Sequence, residues 1–172
     1  MRLLVYGFGP YRNFRENVTA KMIKLLPKRL GVKSVVFAVR FHRRPFIEAI
    51  ERHRPDIILG LGQSSRRRIE IESRAANRRR AHRKARARLI SIGGPRWLPT
   101  TLAIKLGRRA RRSRNAGDYV CNYSMYVMLD YLRRRRPQTR YGLVHIPFDC
   151  DADAAARLIG RAIRKWSSQK LR

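Results

Sequence analysis

Acidic side chains are scarce in this sequence: 11 Asp plus Glu stand against 42 Lys plus Arg, a formal charge of +31 at pH 7. A field of that sign attracts polyanions whatever the fold, so charge alone assigns no function. Cysteine is scarcer still. Cys121 and Cys150 are too few for a disulfide framework, and the thiols are expected to be reduced and the protein cytoplasmic. No stretch has the uninterrupted apolar length of a membrane span, and the opening run in MRLLVYGFGP is too short for a secretory signal. His42, His53, His82 and His145 show no metal-ligand spacing with one another or with the cysteines, so no metal is expected. The glycines of GFGPY do not complete a dinucleotide fingerprint: Arg12 occupies the third glycine position, and no acid ends the second predicted strand. No cofactor is expected.

What the chain does have is apolar content. At 44% hydrophobic over 172 residues it can bury one real core, which excludes a disordered basic tail and predicts a single domain spanning 1–172. RLLVYGF (2–8), KSVVFAVR (33–40), DIILGLGQ (56–63) and YGLVHIPF (141–148) read as core strands. Asn17 to Leu26, 44–55, a segment opening at Cys121 and 151–166 read as helices. The alternation predicts a three-layer α/β/α fold on a mixed, largely parallel sheet. RRIEIES (67–73) alternates with period two, placing Ile69 and Ile71 on one face and Glu70 and Glu72 on the other. PTTLAIKLGRRARRSR (99–114) reads as a helix running into arginines, and 78–88 as a basic loop or weak helix.

The chemistry centres on NAGDYVCNYSMYVMLDYL (115–132). A lone cysteine is more often a small buried hydrophobe than a nucleophile. Cys121, however, opens a predicted helix with Met125, Met128, Leu129 and Leu132 on its buried side, and unpaired N–H groups at a helix start stabilise both a thiolate and a tetrahedral oxyanion. Cys150, between Asp149 and Asp151, lacks that setting. His145 lies towards the carboxyl end of a core strand, where open α/β sheets place their sites, and is the candidate base. Glu70 or Glu72 can orient its imidazole.

These residues carry a resemblance. VYGFGPY, PDIILGLGQ, ESRAAN, AGDYVCNYSMY and LVHIPF together resemble the pyroglutamyl peptidase I family, and 145 − 121 = 24 residues separate cysteine from histidine, as in that family. The resemblance implies Cys121 as nucleophile, His145 as base and, through an E-x-x-A-x-N pattern completed by Ala75 and Asn77, Glu72 as the third member. It also implies that Phe8, Tyr11 and Tyr119 enclose a five-membered lactam ring, with Asn17 and Gln63 in the same pocket. The chain departs from the pattern in places. Tyr11 and Tyr119 stand where phenylalanine is usual, Arg12 and Asn13 replace a glycine pair, and Val18 replaces a proline. HRKAR (82–86) stands in place of an R-I-P-D-N run in a shortened segment.

The implied activity is removal of amino-terminal pyroglutamate from peptides by a cysteine hydrolase. The alternative from another class is an altered relative whose basic surface binds nucleic acid or another polyanion. Homo-oligomerisation and weak, sequence-independent polyanion binding are further expectations, membrane association is not.

Overall fold

The computed structural model describes residues 1–11, 14–27 and 31–168. Arg12 and Asn13 lie outside the described residues. Among the described residues, eight strands and four α-helices follow in the order β1 (Leu3–Phe8), α1 (Val18–Leu25), β2 (Lys33–Phe37), α2 (Arg44–His53), β3 (Ile57–Ser64), β4 (Ile69–Glu72), β5 (Arg74–Ala76), β6 (Trp97–Pro99), β7 (Ala110–Ser113), α3 (Val120–Arg135), β8 (Arg140–Pro147) and α4 (Ala152–Ser168). Six strands form the main sheet in the order β2-β1-β3-β8-β4-β7, and β5 pairs with β6 in a short ribbon. β2, β1, β3 and β8 are mutually parallel, β4 runs antiparallel to β8, and β7 is parallel to β4.

Strand alternation builds the layers. Leu3, Val5, Ile57, Leu59, Val144 and Ile146 pack with Met22 of α1 and Ile159 and Ile163 of α4 on one face. Leu4, Tyr6, Ile58 and Leu143 point to the other face, against Phe46 and Ile50 of α2 and Met125, Met128 and Leu129 of α3. Because β3 and β8 are buried on both faces, they read as continuous apolar runs. Among the described residues, no helix is long and apolar enough to cross a membrane.

The structure corrects two sequence readings and decides a third between its two alternatives. Residues 99–114 are not a helix: Leu102, Ile104 and Leu106 recur at a spacing of two, Leu102 and Leu106 are buried, and the chain then closes the sheet edge as β7. The amides of Thr101 and Leu102 both donate to the Tyr141 carbonyl at 2.9 Å, and a positive φ at Gly107 ends the extended run. The second strand stops at Phe37 instead of continuing to 40. The basic segment 78–88 is a loop with no helical turn, pinned by an isolated bridge between Arg79 and Arg88.

Candidate active site

Tyr119 caps α3 without a capping hydrogen bond from its side chain, so Cys121, the second residue of the helix, sits at a helix start whose first backbone N–H groups have no intrahelical partner. Below it, the Ser124 hydroxyl donates to the Cys121 carbonyl at 2.9 Å and meets Tyr6 Oη at 2.9 Å, which in turn lies 2.5 Å from Tyr141 Oη. Burial, first of all, pushes the Tyr141 phenol well above its ordinary range, so this network stays protonated and ties the first turn of α3 to β1 and β8. Asn122 bridges in the other direction. It accepts from the Ala76 amide at 2.8 Å and donates to the Ala76 and Arg78 carbonyls at 2.9 and 2.8 Å.

His145 projects from the end of β8 with its Nδ1 2.7 Å from Glu72 Oε1. Both are buried, at 4% and 0% exposure. Strand register sets Glu70, not Glu72, opposite His145. The contact nevertheless runs along the diagonal, within reach of long side chains across a twisted antiparallel pair. Glu70 is held elsewhere, by Arg111 at 2.6 Å and by Arg66. Arg66 also reaches Glu72 Oε1 at 3.2 Å, Ser113 Oγ at 3.3 Å and the Asn115 carbonyl at 2.5 Å, so one guanidinium balances two buried carboxylates. Glu72 is held below its ordinary value: burial raises it, and the hydrogen bond and charge of His145, with Ser113 and Arg66, overcome that.

Burial would likewise lower His145, but hydrogen bonds to Cys121 and Glu72 and their charges outweigh it and push the imidazole up to about 9. The folded value lies above the ordinary 6.5, so the stabilisation from imidazolium is fully present below pH 6.5 and is lost as pH rises through 9. We therefore expect the difference in melting temperature between the parent chain and His145→Gln to shrink between pH 6.5 and 9, read by thermal melts across that window. A difference that stays constant there would contradict this coupling.

Gly62, on β3 beside His145, was not singled out by sequence, and only a glycine fits. A Cβ there would lie 2.8 Å from His145 Cδ2, 2.9 Å from Cys121 Sγ and 3.0 Å from His145 Nε2. Ordinary carbon contacts begin near about 3.5 Å, so a methyl group would force thiol and imidazole away from their positions. Gly62→Ala should slow alkylation of Cys121 by iodoacetamide and cut hydrolysis by about 10²-fold while far-UV circular dichroism stays unchanged. Parent-like alkylation would show that the site tolerates the methyl group.

A cavity of about 480 Å³ opens beside Cys121 and His145, and Phe8, Tyr11, Asn17, Gln63 and Tyr119 all line it. All five ring-pocket candidates thus line the cavity beside Cys121 and His145, with Glu72 joined to it through the imidazole. Tyr11 packs 6.2 Å from Tyr119 and stacks at 5.5 Å on Phe14, which contacts Phe148 at 5.6 Å. Phe14 and Phe148 extend the aromatic wall; Phe14 lies in no quoted motif, and Phe148 ends LVHIPF without having been singled out for the pocket. Gln63 Oε1 accepts from the Val18 amide at 2.8 Å, which fixes the orientation of the side-chain amide; its buried Nε2 has no partner among the described residues. Asn17 differs: its Oδ1 accepts from Thr19 N at 3.0 Å and its Nδ2 donates to Gly9 O at 3.2 Å, so its amide builds the loop at the start of α1. Among the described residues, no group of three or more His, Cys, Asp or Glu could hold a metal ion.

The pyroglutamyl peptidase family model matches residues 1–157. The chain belongs to the pyroglutamyl peptidase family. Among pyroglutamyl peptidase relatives, the pyrrolidone-carboxylate peptidase of Bacillus velezensis is 32% identical over 168 residues, covering 86% of this chain and 78% of that protein. The crystal structure of pyroglutamyl peptidase I from Bacillus amyloliquefaciens superposes with a TM-score of 0.82 at 26% identity, covering 94% of this chain and 92% of that one. A pyrrolidone carboxyl peptidase from Pyrococcus furiosus shares the fold, with a TM-score of 0.87 at 24% identity over 100% of both chains. The three-layer α/β fold expected from sequence is thus the fold of this family.

Cys150, by contrast, packs at the edge of the core on the α1 and α4 face. Burial and the flanking Asp149 and Asp151 push its thiol up, which disfavours a nucleophilic thiolate there.

Proposed function

We propose that the chain is a cysteine peptidase that hydrolyses the amide bond following an amino-terminal pyroglutamyl residue, with Cys121, His145 and Glu72 as its triad. The observation that carries this reading is the Glu72–His145 hydrogen bond set beside the Cys121 sulfur at the wall of a cavity lined by aromatic rings.

Each residue has a role that follows from its surroundings. The Cys121 sulfur attacks the pyroglutamyl carbonyl, and His145, a strong base at about 9, holds the thiol proton. Backbone N–H groups at the start of α3 stabilise the oxyanion. The C–N bond then breaks, the imidazolium passes its proton to the leaving amine, and a thioester remains on Cys121. Water, deprotonated by His145, attacks the thioester; the S–C bond breaks and free pyroglutamate leaves. Glu72 holds the imidazole tautomer with Nδ1–H towards the carboxylate throughout.

The lactam fits between Phe8, Tyr11 and Tyr119, flat apolar surfaces matched to a small ring. Gln63 Nε2, a buried donor with no partner among the described residues, meets its missing acceptor in the lactam carbonyl. An amino-terminal glutamine or proline lacks that carbonyl in that ring, so the site rejects both. The test is hydrolysis of pyroglutamyl-aminomethylcoumarin beside its glutaminyl and prolyl counterparts: release from the first alone supports the reading, and equal release from all three refutes it.

The arginine runs do not speak for the polyanion alternative. They sit on separate elements, and several are spent on internal carboxylates: Arg66 on Glu70 and Glu72, Arg133 and Arg134 on the buried Asp130.

A further inference from the structure

Loop 78–88 encloses a second cavity, of about 330 Å³, lined by Arg79, Arg86, Arg88 and His82 together with Ala81 and Ala85. No carboxylate lines it. Around the first cavity, Arg80 pairs with Asp118 at 3.0 Å and Arg66 with Glu70 and Glu72, whereas Arg83, which lines it too, has no acidic partner among the described residues. The guanidinium groups of Arg79, Arg86 and Arg88 have no acidic partner among the described residues. The two cavities adjoin, because His82 lines both. The Arg79 guanidinium also lies over Phe41 at 5.3 Å, and Phe41 packs at 5.4 Å on Tyr119, a wall of the first cavity. The loop is held in this shape. Arg79 and Arg88 exchange backbone hydrogen bonds at 2.8 and 2.9 Å, and Asn77 accepts from the amides of Ile90 and Ser91, both at 2.9 Å.

We propose that this cavity is an anion subsite that takes a carboxylate of the peptide downstream of the pyroglutamyl residue, giving the chain a preference for acidic substrates. The inference rests on the peptidase reading. A five-membered ring fills only part of the first cavity, so the rest of the peptide leaves past His82 towards the three arginines. Arg86 and Arg88 are exposed, and guanidinium groups without an acidic partner, presented on a held loop, bind carboxylates through charge-assisted, two-pronged hydrogen bonds, which a neutral side chain cannot replace.

The test measures binding first, so that it does not depend on turnover. Cys121→Ala chain is titrated with three fluorescent peptides: pyroglutamyl-Asp-Asp amide, pyroglutamyl-Ala-Ala amide and pyroglutamyl-Ala-Ala with a free terminal carboxylate. The acidic amide should bind about 10-fold more tightly than the neutral amide at physiological salt, and Arg86→Gln/Arg88→Gln should bring the ratio to about 2 or below. Tighter binding of the free acid alone assigns the carboxylate to the peptide terminus instead of a side chain, and still supports the subsite. Equal binding of all three overturns the proposal, as does an acidic preference that survives Arg86→Gln/Arg88→Gln, because the charge of the whole surface then explains it. A single-stranded oligonucleotide that displaces the acidic peptide, and whose own binding is lost in the same variant, would make the cavity a nucleic-acid contact and overturn the peptide assignment. Turnover of pyroglutamyl-aminomethylcoumarin by the parent chain separates the two readings: its absence refutes the peptidase function, whereas its presence with no acidic preference refutes only the subsite.

Discussion

Replacing Cys121 with alanine is expected to lower kcat on pyroglutamyl amides by roughly 10⁴-fold or more, to the background of the assay. No other thiol can take over. Cys150 packs in the α1 and α4 layer, and its thiol is pushed up by burial and by two neighbouring aspartates. Cys150→Ser should accordingly be near neutral. The loss should not come from unfolding, because Cys121 is only partly buried and the turn around it is held by Ser124, Tyr6 and Asn122. Unchanged thermal melts in Cys121→Ala, with a bound pyroglutamyl peptide protecting the parent thiol from iodoacetamide, would accompany the expected result. Substantial hydrolysis by Cys121→Ala would remove the nucleophile from the account.

The second large effect separates two carboxylates that lie two residues apart on one strand. Glu72→Gln keeps the shape of the side chain but removes the charge facing Nδ1 of His145. Loss of the correct tautomer and of the stabilised imidazolium should cost roughly 10² to 10⁴ in kcat with little change in KM. Glu70→Gln removes a partner of Arg111 and Arg66, so it should cost stability while sparing most of the turnover. Kinetics and melts on both variants check this, and equal losses of kcat from the two would contradict the assignment.

That pair also shows where sequence was sufficient and where it was not. The alternation in RRIEIES places both glutamates on one face, and both are indeed buried together. Alternation cannot choose between them, and the register favours the wrong one, since Glu70 lies opposite His145 and the bond forms on the diagonal to Glu72. Only the E-x-x-A-x-N resemblance pointed to Glu72. The continuous apolar runs of β3 and β8 and the buried spacing along α3 were legible because each signal is local to one element. Residues 99–114 were not, because good helix formers at Leu102 to Lys105 mask a spacing of two, and pairing with the sheet overrides local preference. Gly62 was invisible for a different reason: its role lies in what a side chain would strike, the Cys121 sulfur from α3 and the His145 ring from β8. The partnerless Nε2 of Gln63 and the arginine-lined cavity likewise arise only when separate segments meet.

Mass spectrometry of a matched peptide pair tests whether the chain removes an amino-terminal pyroglutamyl residue through Cys121. The parent chain is incubated with a pyroglutamyl peptide and with the same peptide beginning in glutamine, and both are followed for loss of the first residue. We expect free pyroglutamate and the shortened peptide from the first, an unchanged second peptide, and no cleavage of either by Cys121→Ala. An intact pyroglutamyl peptide after prolonged incubation, or cleavage of both peptides alike, would contradict the account.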